Sequence, residues 1–260
     1  MELPTPTPVA PASTSGVAPT PRQLPAGAGA DWWGESWRIF CAAPIVWIGI
    51  LVLFAILSIA LVLIALIGSV AHTILTPVFA GGAMLGCHAL ARGEPLRIGH
   101  LFAGFQGGRL APLCVLGLLW LAAIIVMSIV MVLTILLTLG APGLAALMQF
   151  GSPTFDYMAL ASAGVALLIV VFVGMIGAVL VAMAYWFAPA LVVLDGEPPI
   201  AALKKSFAAS LTNVGAFLVY GLIYIGLAIV ASIPVGLGWL VLGPMVASSC
   251  YASWRTIFSR

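Results

Sequence analysis

Long apolar runs separated by short polar gaps fill the chain between about residues 44 and 254. A helix needs about 20 mostly apolar residues to cross the roughly 30 Å hydrocarbon layer of a membrane. The runs therefore predict an all-α fold, a polytopic bundle of transmembrane helices, and no Asp, Glu, Lys or Arg lies inside any span. We divide them into six spans, at about residues 44–67, 70–90, 110–138, 160–188, 213–232 and 235–253.

Two of these divisions depend on glycine and proline. The uncharged stretch 44–91 is too long for one span, so we predict a break near Gly68-Ser69. The sixth run is compatible with a kinked span and with a shallow re-entrant hairpin, and we favour the span. Its helix-breaking residues are Pro234, Gly236, Gly238, Gly243 and Pro244.

Amphipathic segments precede three of the spans. In each, apolar side chains recur at helical spacing beside charged residues, which favours a short helix lying in the headgroup layer. The apolar stripes are Trp33, Trp37 and Phe40 before the first span, Ile98, Leu101, Phe102 and Phe105 before the third, and Ile200, Leu203, Phe207 and Leu211 before the fifth. The side chains expected to face away from the last stripe are Lys204, Lys205, Ser206 and Ser210.

Two of these segments also match each other in sequence. Gly93-Glu94-Pro95 aligns with Gly196-Glu197-Pro198 at a spacing of 103 residues. We interpret the match as an internal repeat of one interfacial helix plus two spans, with copies beginning near residues 31, 95 and 198. Because the copies start on the same face of the membrane, the repeats are predicted to be parallel.

Composition separates the N-terminal region from the rest of the chain. Hydrophobic residues make up 63% and charged residues 6%, against about 45–50% and about 25% in soluble domains. Residues 1–30, in contrast, are rich in Pro, Ala and Thr. Such a segment buries too little apolar surface to offset its ordering entropy. We predict a disordered cytoplasmic tail over 1–30 and an integral membrane domain over 31–260.

Charge is distributed unevenly along the chain, and this predicts the topology. Short loops rich in Lys and Arg stay on the cytoplasmic side, so we expect both termini in the cytoplasm of a bacterial inner membrane. The gaps near Gly68-Ser69, over 140–158 and at 232–234 hold a single charge, Asp156. The net charge of +2 is too small to suggest nucleic acid as a partner. All basic residues lie before the first span, in alternate gaps or after the last span: Arg22, Arg38, Arg92, Arg97, Arg109, Lys204, Lys205, Arg255 and Arg260.

The segment 185–194, followed by Gly196-Glu197-Pro198-Pro199 and Lys204-Lys205-Ser206-Phe207, resembles an uncharacterised family of bacterial six-span inner-membrane proteins, as does the ending 251–258. The resemblance covers about residues 31–258. More distantly, the layout is similar to the membrane domain fused to some glycerophosphodiester phosphodiesterases. The catalytic domain of those fusions has no counterpart here. The resemblance therefore implies a fold and a membrane location, with no phosphodiesterase activity and no site residues.

Candidate catalytic and metal-binding residues are scarce. Ionisable groups near the bilayer midplane usually signal function, and the predicted spans hold no carboxylate or basic side chain. His72, His88 and His100 lie near span ends, where a histidine bonded to water or a carbonyl is favoured over a relay or ligand. The cysteines match no zinc spacing and are interpreted as small buried hydrophobes rather than a Cys/His cluster: Cys41, Cys87, Cys114 and Cys250. We predict no catalytic residue, cofactor or metal.

Glycines and surface cations are the remaining candidates for a role. Gly82 and Gly86 form a small-xxx-small face for helix packing, within the monomer or at a dimer seam. We predict a non-enzymatic protein that organises helices, lipid or a partner, with a carrier or channel for a small solute as the alternative. Membrane lipids are the expected partners, and a homo-oligomer or a membrane-protein partner stays open. The candidate lipid-headgroup contacts are Arg38, Arg97, Arg109, Lys204 and Lys205.

Overall fold

The computed structural model describes residues 21–148 and 157–258. In these two stretches the chain forms α-helices joined by short turns, with one 3-10 helix, η1. The elements are α1 (Ala28–Ala42), α2 (Pro44–Val62), α3 (Ala65–Ala91), η1 (Ile98–Phe105), α4 (Leu110–Met148), α5 (Tyr157–Tyr185), α6 (Ala188–Leu194), α7 (Pro199–Thr212), α8 (Val214–Ser232) and α9 (Trp239–Phe258).

Five stretches of the described chain are long and apolar enough to cross a membrane, and they confirm the predicted all-α bundle of membrane helices. Most of their side chains outside the packed end of the bundle are exposed and apolar, as lipid-facing residues should be. The five stretches are Pro44–Val62, Ala65–Ala91, Leu110–Thr138, Gly164–Leu194 and Val214–Ser232.

The sixth predicted span differs from the other five. It is the helix α9, which begins at Trp239 rather than at residue 235 and continues through Pro244 to Phe258 as one helix, not as a re-entrant hairpin. It is not among the five apolar stretches. The reason is its row of serines, which face neighbouring helices instead of lipid: Ser248, Ser249 and Ser253 are all fully buried.

The predicted break at Gly68-Ser69 was wrong by a few residues. Helix α2 ends at Val62 and α3 begins at Ala65, where a positive φ of 51° turns the chain. Gly68 lies inside α3, and a Cβ atom there would overlap the carbonyl oxygen of Leu61. This glycine therefore allows the two helices to approach closely beside the turn rather than forming the turn.

The element order agrees with the predicted repeat. A short helix followed by two long helices occurs as α1–α2–α3, η1–α4–α5 and α7–α8–α9. The two matched glycines, Gly93 and Gly196, both follow a helix end with positive φ, 76° and 69°. At the first, Gly93 N–H donates to Leu90 O (3.0 Å) and Glu94 N–H to Ala89 O (2.9 Å), the bond pair of a Schellman motif.

Part of the sequence-based description falls on residues that the structure does not describe. Residues 1–20 of the predicted tail and Asp156 lie outside the described ranges. The rest of the predicted tail, residues 21–30, contacts the membrane domain: Arg22 N–H donates to Ile257 O (3.1 Å), and α1 already begins at Ala28.

Candidate functional site at the basic end of the bundle

The short helices gather at one end of the bundle, where α3 and α9 end. Trp32 Nε1 of α1 donates to Thr256 Oγ1 of α9 (2.9 Å), and Trp254 Nε1 donates to Asp195 Oδ2 after α6 (3.0 Å). We call this region the basic end, because the connections that meet there carry the described Lys and Arg residues: Arg22, Arg38, Arg92, Arg97, Arg109, Lys204, Lys205 and Arg255.

The helix is interrupted between α5 and α6, and we call this interruption the break. A serine of α7 bridges it. Phe187 N–H donates to Ser206 Oγ (3.0 Å), and the Ser206 hydroxyl donates to Met183 O (2.8 Å). In an unbroken helix the residue 187 N–H would bond the residue 183 carbonyl directly. Ser206 therefore replaces one missing helical bond by two, and Ser210 adds a second donor to Met183 O (3.1 Å).

Helix α9 packs against the same break. Cys250 Sγ donates to Trp186 O (2.9 Å), and Trp186 Nε1 donates to Ser253 Oγ (3.2 Å). A second serine of α9, Ser249, lies 2.8 Å from Tyr220 Oη of α8. The small polar side chains of α9 thus connect it to the break and to α8, which explains why this helix is less apolar than the others.

Asn213 holds the N-terminal segment against the junction of α7 and α8. Its Oδ1 accepts from Leu24 N–H (2.8 Å), and its Nδ2 donates to Arg22 O (3.0 Å) and to Ala209 O (2.9 Å). The side chain is almost completely buried. A buried amide needs such partners, because leaving it unpaired costs free energy.

Aromatic side chains of α1 form part of the protein core. Trp33 stacks on Tyr220 with ring centroids 4.8 Å apart, and Trp32 lies 5.2 Å from Phe217. Of the predicted interfacial stripe, Trp33 and Phe40 are buried in the protein and Trp37 is 50% exposed; Trp32, which was not assigned to the stripe, is buried as well. Tryptophan here supplies large buried contacts in addition to its usual membrane-interface role.

The face that α7 presents to the bundle is made of small residues. Its buried residues are Ala202, Ser206, Ala209 and Ser210, whereas Ile200 and Leu211 of the apolar stripe are 59% and 52% exposed. In a membrane protein the apolar side chains face lipid, and small residues allow the helices to pack closely. The two serines therefore point into the protein and not toward water.

The segment 98–105 is a 3-10 helix packed on α3, where an α-helix in the headgroup layer was predicted. The packing surface on α3 consists of the two predicted glycines. A Cβ atom on Gly82 would lie 2.5 Å from both His100 O and Leu101 O, and one on Gly86 would lie 2.8 Å from Leu96 Cδ1. These glycines thus leave room for η1 rather than for another transmembrane helix.

The candidate headgroup contacts differ in exposure and in ion pairing. Lys205 pairs with Glu197 and Arg38 with Glu35, although the Arg38 side chain is 77% exposed. Arg97 and Lys204 are exposed and form no ion pair with any residue that the structure describes. Arg109 is half-buried at the start of α4. The structure thus leaves Arg97 and Lys204 as the most available cations of the predicted set.

The pKa of one carboxyl at the basic end is shifted by its surroundings. Partial burial raises the pKa of Asp195 above its ordinary value, while the hydrogen bond from the Trp254 indole opposes that change. The negative charge of Glu197 raises the Asp195 pKa further, and Lys205 lowers it. Because Trp254 lies on α9, its hydrogen bond to Asp195 connects the end of α6 with α9.

A cavity of about 210 Å³ lies between α2, α3, η1 and α9. Its walls include Trp47, Phe54, Ala80, Leu101 and Pro244. The other lining residues are Ile50, Leu51, Thr76, Phe79, Ala83, Gly243 and Ala247. Apart from the Thr76 hydroxyl, every side chain that lines the cavity is apolar, and that hydroxyl is already bonded within its own helix.

Histidines and cysteines occupy separate places in the structure. His72 Nε2 lies 3.1 Å from Ser58 Oγ between α2 and α3, His88 Nδ1 lies 3.2 Å from Tyr251 Oη, and His100 Nδ1 accepts from Arg97 N–H (3.0 Å). Cys41 is exposed, Cys87 is buried, and Cys114 and Cys250 are half-buried. Nowhere in the described ranges do three His, Cys, Asp or Glu side chains come close enough to hold a metal ion.

The structural residues at this end were missed by reasoning from sequence. Neither Asn213 nor Trp32 was singled out, and Ser206 was predicted to face away from the apolar stripe but not to be buried. One signal was available: on α7, residues 202, 206, 209, 210 and 213 are small or polar and recur at three- and four-residue spacing. Inside a membrane bundle that pattern indicates the packed face.

The comparisons with known proteins agree with this architecture. The chain is 27% identical over 232 residues to a protein of Burkholderia thailandensis described as a probable inner membrane protein, and the match covers 88% of this chain and 83% of that protein. No protein family model matches the chain, and no solved structure matches it. Together with the five long apolar helices, the similarity identifies an integral membrane protein.

Proposed function

We propose that this chain is a non-enzymatic protein of the bacterial inner membrane that organises lipid around its basic end by binding anionic headgroups. The membrane location is supported by the similar protein of Burkholderia thailandensis, whose description places it in the inner membrane. A non-enzymatic role is supported by the way polar groups at the basic end are used. Ser206, Ser210 and Asn213 are all engaged in bonds to backbone atoms that hold helices together.

The observation that carries the proposal is the position of two exposed cations beside exposed apolar side chains. Lys204 lies on α7 together with the lipid-facing Ile200, and Arg97 precedes the exposed Ile98. Such a pair reaches the headgroup with its charge and the acyl chains with its apolar partner. Neither cation is neutralised by a described carboxylate, so each is available to a lipid phosphate.

Replacing Arg97 and Lys204 together by glutamine should weaken the preference for anionic lipid. Each cation near an anionic surface contributes about 1 kcal/mol of attraction, and about 1.4 kcal/mol corresponds to a tenfold change in an equilibrium constant. Loss of both cations, about 2 kcal/mol, should therefore lower the preference for phosphatidylglycerol over phosphatidylcholine by up to about thirtyfold. Native mass spectrometry of the purified protein in mixed micelles measures this preference.

The matched control removes an exposed arginine without changing the net charge. Arg92 pairs with Glu94 at 3.0 Å, so the variant Arg92→Gln with Glu94→Gln deletes both members of a surface ion pair. It should leave the lipid preference as in the natural protein. An unchanged preference in the Arg97/Lys204 variant, or an equal loss in both variants, would contradict headgroup binding by these two cations.

We also propose that the basic end faces the cytoplasm, since short basic connections are retained on that side. The contact between Arg22 and Ile257 supports placing both termini together. In a Cys41→Ser background, Lys204→Cys should be protected in intact cells from a maleimide that cannot cross the membrane. Val235 lies in the turn between α8 and α9 and is 98% exposed, so Val235→Cys should react. The reverse labelling pattern would overturn this orientation.

A carrier or channel for a small solute has less support. Such a function would be favoured by polar groups around a cavity at mid-depth, as in transporters that bind substrate near the bilayer midplane. The cavity between α2, α3 and α9 is instead lined by apolar side chains. The distant likeness to the membrane domain of phosphodiesterase fusions stays a prediction and adds no activity to the proposal.

A further inference from the structure

The cavity between α2, α3, η1 and α9 has walls suited to an apolar ligand. Thr76 is the one polar residue among those that line it, and its hydroxyl donates to His72 O at 2.8 Å. Its hydrogen-bonding capacity as a donor is therefore already used. An apolar cavity of roughly 150 Å³ stays free of water and binds benzene-sized molecules, and this one is larger, at about 210 Å³.

The helix geometry keeps the cavity open on the α9 side. Pro244 interrupts the regular bonding of α9, and Gly243 beside it has no side chain to fill the space. A Cβ atom on Gly243 would lie 3.2 Å from Leu51 Cδ2 of α2, so a larger residue there would close part of the gap. A short side chain, Ala80, provides the facing part of the wall on α3.

The bilayer itself supplies the matching occupant. Helix α2, which forms one wall, exposes Val52, Ile56 and Ile59, and these apolar side chains face the acyl chains of the membrane. An acyl chain is therefore the apolar group present at the highest concentration beside the cavity. We propose that the cavity binds an acyl chain of a membrane phospholipid.

Charge at the basic end supports a phospholipid with its phosphate in a defined direction. A cleft lined by Glu35, Arg38, Leu90 and Arg255 lies between α1, α3 and α9, and both of its arginines pair with Glu35. Along α3, Leu90 is seven residues beyond Ala83 of the cavity wall, which corresponds to about 10 Å at 1.5 Å per residue. A lipid with one chain in the cavity would place its headgroup toward this cleft, where Arg38 is largely exposed.

Trp47 provides a direct probe of occupancy. It is among the residues that line the cavity, and only 1% of its surface is accessible, so lipid outside the protein does not contact it. Brominated acyl chains quench tryptophan fluorescence at short range. In micelles of brominated phosphatidylglycerol, the emission assigned to Trp47, obtained as the difference from Trp47→Phe, should be strongly quenched. Emission that stays as bright as in unbrominated lipid would overturn the proposal.

Filling the cavity should abolish the quenching of Trp47, and a matched variant should preserve that quenching. Ala80→Phe puts a ring into the cavity, whereas Ala55→Phe puts the same ring on an exposed position of α2. We expect Ala80→Phe to lose the Trp47 quenching and one tightly held phospholipid in native mass spectra, and Ala55→Phe to keep both. If Trp47→Phe does not fold, the lipid count of the two alanine variants decides alone, and an equal count in both would overturn the proposal.

The inference rests on the proposed lipid-interacting function, but the two fail separately. Loss of headgroup preference in the Arg97/Lys204 variant with retained quenching supports both ideas. If the charge variants change nothing while quenching depends on residue 80, the chain site stands and the headgroup proposal falls. If quenching is absent while headgroup preference responds to charge, the acyl-chain site is overturned and the basic end keeps its role.

Discussion

Substituting alanine for Gly82 is expected to lower the stability of the protein markedly by forcing η1 away from α3. The new methyl group would lie 2.5 Å from two backbone carbonyl oxygens, those of His100 and Leu101. Backbone atoms cannot rotate aside as a side chain can, so the 3-10 helix has to move as a unit. Overpacking of this kind costs about 1–3 kcal/mol and occasionally more. Thermal unfolding in detergent, followed by tryptophan fluorescence, measures the loss.

A glycine in open space provides the control for this substitution. Gly221 lies in α8, and a Cβ atom there would meet no other atom within 4 Å. Alanine is favoured over glycine by about 1 kcal/mol inside a helix, so Gly221→Ala should leave stability unchanged or raise it. Opposite signs for the two variants would establish that contact with η1, and not helix propensity, determines the effect. Equal stability of Gly82→Ala and the natural protein would contradict the packing described here.

The second large effect is expected at Ser206, the residue that fills the break between α5 and α6. In Ser206→Ala the Phe187 N–H loses its acceptor in a fully buried position. A buried donor left unpaired costs about 1–3 kcal/mol. The midpoint of thermal unfolding should fall, and amide hydrogen exchange at Phe187 should become faster, because that N–H is no longer held by the hydroxyl.

Ser210 provides the control, because its substitution removes one hydrogen bond without leaving a buried group unpaired. Ser210 also donates to Met183 O, but Ser210→Ala leaves that carbonyl bonded to Ser206. The expected cost is therefore only that of one ordinary hydrogen bond, about 0.5–1.5 kcal/mol, without faster exchange at Phe187. Similar losses and similar exchange rates in the two variants would show that the break does not depend on Ser206.

The membrane fold could be predicted because its main signals are physical and local. Long apolar runs without charges have to be spans, and five of them are helices of the predicted kind. The likeness of the Gly93 and Gly196 segments gave the repeated order of one short and two long helices. These features depend on the cost of placing charge and unpaired backbone groups in hydrocarbon, so they can be read from residue types alone.

The packing of the short helices could not be predicted in the same way. The apolar stripe of α7 predicted a helix in the headgroup layer, and its side chains Ile200 and Leu211 are exposed, but the stripe does not indicate which residues pack against the bundle. The serines of α7 and α9 face inward, where they form hydrogen bonds with Met183, Trp186 and Tyr220. Those partners come from distant parts of the chain, so the small-residue spacing of α7 indicates its packed face but not the groups that bond there.

The turn after α2 shows the same limit on a smaller scale. Glycine at position 68 was interpreted as a helix breaker, since glycine is favoured in turns. The chain instead turns at Ala65, and Gly68 is required because Leu61 lies against it. A glycine that permits a turn and a glycine that permits contact have the same sequence signal. Only the neighbouring helix distinguishes them.

The junction of the two chain ends has a consequence for how the protein is made. Leu24 bonds to Asn213, 189 residues later, and Trp32 bonds to Thr256, 224 residues later. Since synthesis proceeds from the N-terminus, the aromatic face of α1 leaves the ribosome long before the helices that cover it exist. The aromatic face of α1 therefore stays uncovered until α8 and α9 have been made, and this part of the fold closes only then.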